Sequence, residues 1–238
     1  MSGHFITFEG VDGCGKTTQR ELTATWLREQ GKIVVETFEP GASALGAEIR
    51  HLLLSGEHVP VPEAELMLFL ADRAQHVHEM LRPALERGAV VLCDRYTDST
   101  RAYQLAGRQL NADKVNPPGD TLLLHNSPDG EARESPLGHV LNTMLEVAEL
   151  GLRPELTLWF DLPVPEALNR MRGRAATGEV PTRMDEECRS FHEAVRNGFS
   201  TIFEGEPERV RRVDASGSVD EVQKRVHKVI GNFLGTIV

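Results

Sequence analysis

The chain has 238 residues, enough for one large domain, with shares of apolar and charged residues ordinary for a water-soluble fold. A formal net charge of −10 argues against a broad nucleic-acid surface, which needs a basic face, while leaving room for a local basic pocket. Cys14, Cys93 and Cys188 are odd in number and form no C-x-x-C pair, which speaks against a disulfide framework and for a reducing compartment, the cytoplasm.

The first strand-like run, Phe5–Glu9, is aromatic and β-branched. It starts too early for a signal peptide, and no apolar run in the chain is long enough to span a membrane. Directly after it, Gly10, Val11, Asp12, Gly13, Cys14, Gly15, Lys16 and Thr17 fit G-x-x-x-x-G-K-[ST], with Thr18 next. Leu22, Trp26 and Leu27 then recur at helical spacing through Gln30. A strand, a glycine turn and a helix N-terminus together make a cradle for phosphate, because backbone N–H groups converge there. Lys16 is placed to reach the outer phosphates, and the Thr17 hydroxyl to sit on Mg²⁺. Cys14 at a helix N-terminus reads either as a thiol of lowered pKa or as a small filler.

Further strand-like runs are Lys32–Phe38, Ala89–Asp94, Glu155–Asp161 and Arg209–Asp214, each separated by helical patterns. This alternation predicts a single α/β domain over 1–238 with a parallel five-stranded sheet and helices on both faces. The longest helical pattern runs from about Pro62 to Arg87, with Leu66, Phe69, Leu70, Val77 and Leu81 as its buried stripe and Pro83 expected to kink or end it. Phe69 and Arg73 are four apart and share a helical face. They could stack a base and pair a phosphate, or be a core ring and a snorkelling surface cation. Asp94 and Arg95 follow a strand end, where open α/β sheets bind ligands, so Asp94 suits Mg²⁺ and Arg95 a second phosphate. Asn111–Gly138 is rich in Pro and Gly and reads as a long loop with a short strand at Thr121–His125. Arg170, Arg172 and Arg174, followed by Arg183, gather where a helix runs out. They either complement the helix C-terminus or form a mobile lid, about 172–184, that brings cations onto a transferring phosphate.

The stretches Phe8–Thr18, Glu39–Gly41, Leu68–Arg73, Asp94–Thr100 with Ala102–Gln104, Gly151–Thr157 and Arg183–Asp185 together resemble the thymidylate kinase family, in order and over nearly the whole chain. The resemblance implies the P-loop NTPase fold and a kinase, a transferase of nucleotide biosynthesis that moves the γ-phosphate of ATP to dTMP with Mg²⁺, as a homodimer in the cytoplasm. It implies ATP on Gly10–Thr18, Asp12 facing the acceptor sugar and the metal region, Phe69 stacked on thymine and Arg73 at the base edge or acceptor phosphate. It further implies Arg95 on the acceptor phosphate, Thr100, Tyr103 and Gln104 lining the sugar and base pocket, and Arg170 and Arg174 supplying transition-state charge, because Gly13 leaves the loop without an arginine of its own. Three departures stand out: Phe38 where relatives often carry Arg, a segment at about 112–137 that looks inserted, and a long lid at Ala175–Pro181. The rivals are a deoxynucleoside kinase with Glu39 as base, and a P-loop switch without kinase activity.

Overall fold

The computed structural model describes residues 3–55, 58–108, 136–178 and 180–235 and the backbone of 125–126 and 132–133. In chain order the elements are β1 His4–Glu9, α1 Lys16–Glu29, β2 Val34–Phe38, α2 Ala44–Leu54, α3 Pro62–His76, α4 Arg82–Glu86, β3 Val90–Asp94 and α5 Thr97–Thr100. They continue with the two-residue strands β4 His125–Asn126 and β5 Ala132–Arg133, then α6 Pro136–Glu149, β6 Leu156–Asp161, α7 Val164–Ala176, α8 Arg189–Gly205, β7 Val210–Asp214 and α9 Val219–Leu234. All five strands read from the sequence are present. The strand expected at 121–125 and most of 112–137 lie outside the described residues, apart from the antiparallel pairing of His125 with Arg133.

The main sheet is ordered β2-β3-β1-β6-β7 and wholly parallel. β3 and β6 are buried along their full length, which is why they read as mostly apolar runs rather than alternating ones, with Thr157 and the terminal Asp94 and Asp161 as their polar members. Below one face Ile6, Phe8, Leu92 and Leu158 pack with Leu27 of α1, Val195 and Phe199 of α8 and Val226 and Ile230 of α9. On the other face Phe5, Val91 and Cys93 pack with Val77, Leu81 and Leu85. Each such side chain contributes about 1.5–3 kcal/mol when fully buried. The connection from β1 leads towards β2 on one side and that from β3 leads to β6 on the other, so the crevice at the carboxyl ends of β1 and β3 is the ligand-binding switch point of the sheet.

Pro83 does not end the long helix. Its missing N–H and its ring are accommodated by a wide turn at Val77–Leu81, where the Arg82 N–H reaches back five residues to the Val77 carbonyl, and α4 then carries on. Leu66 and Leu70 pack on Leu145 and Ala148 of α6. Phe69, expected in the same stripe, is only half-buried and faces a cavity instead. A second wide turn, Arg101–Gly107, closes with the Arg108 N–H on the Tyr103 carbonyl at 2.8 Å. Gly198 of α8 lets it sit close, since a Cβ there would lie 3.1 Å from the Ala102 Cα. Among the described residues no helix is long and apolar enough to cross a membrane.

Candidate active site

The loop after β1 turns where only glycine fits. Gly13 has φ +81°, and a Cβ on it would stand 2.4 Å from the Ala167 carbonyl oxygen of α7. Gly15, at φ +93°, is the residue on which α1 starts. Asp12, Gly13, Gly15, Lys16, Thr17 and Thr18 line a cavity of about 450 Å³, and Val11 and Cys14 are buried beneath them. Lys16 is buried, with Nζ donating to the Val11 carbonyl at 3.0 Å. The Thr17 hydroxyl donates to Asp94 Oδ2 at 2.5 Å, joining the loop to the end of the neighbouring strand β3. Cys14 is the filler of the two readings: burial pushes its thiol up, and nearby Lys16 only partly opposes this.

The opposite wall is built by α3. Glu65, Phe69 and Arg73 follow one another at four-residue spacing along it, and Phe69 and Arg73 line the same cavity as the loop. Arg73 is almost wholly buried, so it is no snorkelling surface cation. Its Nε and Nη2 donate to Glu39 Oε2 at 2.9 and 2.8 Å, its guanidinium lies 4.8 Å over the Tyr96 ring, and its Nη1 is buried without a hydrogen-bond partner. The second Glu39 oxygen meets His76 Nδ1 at 2.8 Å, and His76 Nε2 meets the Thr37 hydroxyl at 2.6 Å. With both oxygens engaged, Glu39 holds Arg73 in place and is not available as a general base for a nucleoside hydroxyl. Burial, with Glu39 close by, also pushes the Asp72 carboxyl up to about 6.

Arg95 sits in the left-handed region at φ +71°, a conformation costing a non-glycine residue on the order of 1 kcal/mol. Its surroundings over-determine it. The backbone N–H bonds the Phe8 carbonyl at 3.0 Å, Nη1 donates to Ser99 Oγ at 3.0 Å, and Nη2 donates to Asp12 Oδ1 at 2.5 Å and to the Tyr103 hydroxyl at 3.1 Å. The Tyr103 hydroxyl in turn donates to Asp12 Oδ2 at 2.7 Å. Burial disfavours the Asp12 carboxylate, but Arg95, Lys16 and Tyr103 outweigh it and hold the group well below the usual carboxylate range. Thr100 at the end of α5, and Tyr103 and Gln104 in the wide turn at Arg101–Gly107, complete this side of the cavity.

Behind Arg95 lies Glu9, whose oxygens accept from the Tyr96 N–H at 2.7 Å and the Ser99 hydroxyl at 2.5 Å. Burial and the Asp98 charge push its carboxyl up to about 8, against the opposing pull of Ser99, Arg95 and Tyr96. A raised carboxyl pKa means that the folded state prefers the protonated form. Its contribution is complete below the ordinary value of 4.5 and is lost as pH rises through about 8. Glu9→Gln cannot ionise, so the stability of the wild type relative to this variant should fall by on the order of a few kcal/mol between pH 5 and 9. Urea unfolding across that range checks it, and parallel stability curves would sink the idea.

The arginines of the expected lid lie on α7 and beyond, and they separate. Arg174 lines the cavity. Arg170 turns away, donating to Glu166 Oε1 at 2.7 Å and to the Ala215 carbonyl at 3.2 Å. Arg172 donates to Asn169 at 3.2 Å on the surface, and Arg183 donates to the Leu53 carbonyl at 3.2 Å and to Glu65. Sequence reasoning missed Arg20 and Arg50, which also line the cavity. Arg50 sits 5.6 Å over the ring of Phe38 and donates to the Pro40 carbonyl at 2.7 Å, so α2 carries a guanidinium to the cavity wall beside Phe38, the position where the family resemblance leads one to expect an arginine.

A family model described as thymidylate kinase matches residues 8–130 and 132–226. The thymidylate kinase of Nostoc punctiforme is 39% identical over 232 residues, covering 97% of this chain and 96% of that protein. That of Geobacter sulfurreducens is 42% identical over 233 residues, covering 97% of each. The crystal structure of thymidylate kinase from Ehrlichia chaffeensis superposes with a TM-score of 0.68 at 27% identity, covering 97% of this chain and 99% of that one.

Proposed function

The chain belongs to the thymidylate kinase family, and from that premise we propose that its cavity moves the γ-phosphoryl group of ATP onto the phosphate of dTMP, releasing ADP and dTDP. The observation that carries this reading is that the phosphate loop and the Phe69–Arg73 wall open into one cavity. ATP phosphates lie on Gly10–Thr18, with Lys16 on the outer ones. Thymine stacks on Phe69, and Arg73 offers N–H groups to its edge from a position fixed by Glu39. Arg95, with Asp12 and Tyr103 beside it, holds the acceptor phosphate and sugar together with Thr100 and Gln104. A phosphate oxygen of dTMP then attacks the γ-phosphorus in line while the bond to ADP breaks. The acceptor is already an anion, so no general base is needed, and catalysis is positioning and charge stabilisation.

Mg²⁺ fits this site: the Thr17 hydroxyl and the Asp94 carboxylate are two hard oxygens brought within 2.5 Å. Among the described residues no group of three or more His, Cys, Asp or Glu could hold a metal alone, which suits an ion whose shell is completed by phosphate oxygens and water. When bound, Mg²⁺ neutralises charge on the phosphates. Three free cysteines suit a cytoplasmic enzyme.

A panel of dTMP, dUMP, thymidine and other monophosphates with ATP and Mg²⁺ tests the assignment; dTMP should be the best acceptor. Of the lid arginines, Arg174 takes the transition-state role and Arg170 steadies α7 against the end of β7. Arg174→Ala should therefore lower kcat by roughly tenfold to a hundredfold with little change in KM, and Arg170→Ala should do less. Steady-state kinetics of the pair decide between them, and an Arg174 variant altered in KM alone would assign it to ground-state binding.

The homodimer expected of the family has a candidate face. Met67 of α3 and Val140 and Val147 of α6 are 58%, 50% and 66% exposed, on helices that pack against each other. Val147→Asp should shift sedimentation from dimer to monomer; an unchanged dimer would move the interface elsewhere.

A further inference from the structure

We propose that Glu65 is a positioning residue for base selection: it turns the Gln104 amide so that its oxygen faces the cavity, which selects pyrimidines carrying an N3–H over those with a bare N3. The inference rests on the dTMP reading above and names the atom that enforces it.

Glu65 is 1% exposed and does not line the cavity; it lies behind the wall. Its two oxygens receive four nitrogen donors. Oε1 accepts from Gln104 Nε2 at 3.0 Å and Arg108 Nε at 3.0 Å, and Oε2 accepts from Arg108 Nη2 at 3.2 Å and from Arg183 Nη2. Burial alone would favour the protonated acid, but Arg108, Gln104 and Arg183 outweigh it and hold the carboxyl below its ordinary range. An ionised carboxylate only accepts, so the amide edge that meets it must be the NH₂. The oxygen of the same planar amide then points the other way. Gln104 lines the cavity, one wall of which is Phe69, four residues along α3 from Glu65.

A base stacked on Phe69 therefore meets an acceptor at Gln104 Oε1 and donors at Arg73. Thymine and uracil offer N3–H to the first and O4 to the second. Cytosine offers a lone pair at N3 and N–H groups at C4, so both contacts become repulsive, and an unpaired buried polar group is costly. Arg73 is held by Glu39 and is independent of Glu65, which allows the two readings of the base to be separated by experiment.

Binding of dTMP, dCMP and N3-methyl-dTMP to the full-length protein, measured by titration calorimetry, tests this. The wild type should bind N3-methyl-dTMP at least about tenfold more weakly than dTMP, although O4 is unchanged. In Glu65→Gln the neighbour can donate as well as accept, the Gln104 amide can turn over, and the dTMP-to-dCMP affinity ratio should fall by about tenfold or more. In the Glu65→Gln/Gln104→Glu double variant a carboxylate replaces the amide at 104 and again offers only acceptors, so the preference against dCMP should return. A purely structural role for Glu65 would weaken both nucleotides alike, leave the ratio intact and overturn the proposal. Equal wild-type affinity for dTMP and N3-methyl-dTMP overturns it even where the single variant does not fold. Failure of the wild type to bind dTMP at all would instead overturn the dTMP reading.

Discussion

Lys16→Ala should lower kcat by about 10²–10³-fold and leave the fold intact, the scale seen when a preorganised charge donor is removed from a water-excluded site. Lys16 is buried at the mouth of α1, and its Nζ is held by the Val11 carbonyl at 3.0 Å and lies 3.7 Å from Cys14 Sγ. The ammonium is thus tethered inside the loop after β1 rather than swinging in solvent, which is the placement the proposed role on the γ-phosphoryl group requires. Its hydrogen-bond partners are a carbonyl and a sulfur, and the Asp12 carboxylate, which its charge helps to keep ionised, retains Arg95 and Tyr103, so truncation strands no unpaired carboxylate and the variant should fold. Steady-state kinetics with ATP and dTMP check it, alongside a urea unfolding curve. Near-normal turnover would remove Lys16 from the chemistry, and a rise in KM for ATP with unchanged kcat would make it a ground-state contact.

The parts of this molecule governed by short-range periodicity were legible in the sequence. β3 and β6 announce themselves because full burial demands mostly apolar residues on both faces, and the loop after β1 does so because its glycines answer to backbone geometry. What escaped depends on contacts between distant segments. Glu39, Arg73 and His76 form one buried constellation, yet 34 residues separate the first two. Nothing in the local pattern distinguishes Arg50 from an arginine on a helix surface, because its seat over Phe38 is a contact between separate elements. Glu65 has the local pattern of any acidic residue in a first helical turn, a common place for one. The wide turn at Arg101–Gly107, which aims Tyr103 and Gln104 into the cavity, has no signature in local propensity because it is set by the close approach of α8 at Gly198. The lid was legible as a cluster of cations, whereas the split between Arg174 in the cavity and Arg170 on Glu166 was not, since helical spacing alone gives both the same chemistry.

The acceptor is where the charge count is most demanding. Arg95 and Arg73 both line the cavity, and each is tied down by a carboxylate, Asp12 and Glu39 respectively. A neutral nucleoside would not need Arg95, whereas a cation at the base edge, the place proposed for Arg73, serves nucleoside and nucleotide alike. A nucleotide phosphate entering beside Arg95 competes for a guanidinium whose Nη atoms already serve Asp12, Ser99, Tyr103 and the Gly10 carbonyl, so it meets a preset donor fork in a left-handed turn and not a flexible side chain. Removing one partner of such a desolvated charge contact costs on the order of 2–5 kcal/mol. Arg95→Ala should therefore lower kcat/KM for dTMP by on the order of tens- to thousands-fold. Part of that loss comes from Asp12, which would lose its ion-pair partner and keep only the more distant charge of Lys16, so Asp12→Asn in the Arg95→Ala background should recover some of it. Thymidine lacks the phosphate proposed to bind Arg95 and should be a poor acceptor for the wild type, changing little in Arg95→Ala. Coupled-assay kinetics with the two acceptors measure all of this. If the protein phosphorylates thymidine faster than dTMP, the monophosphate kinase reading falls, and the base on the 5′-hydroxyl must be sought outside Glu39, whose two oxygens Arg73 and His76 already occupy.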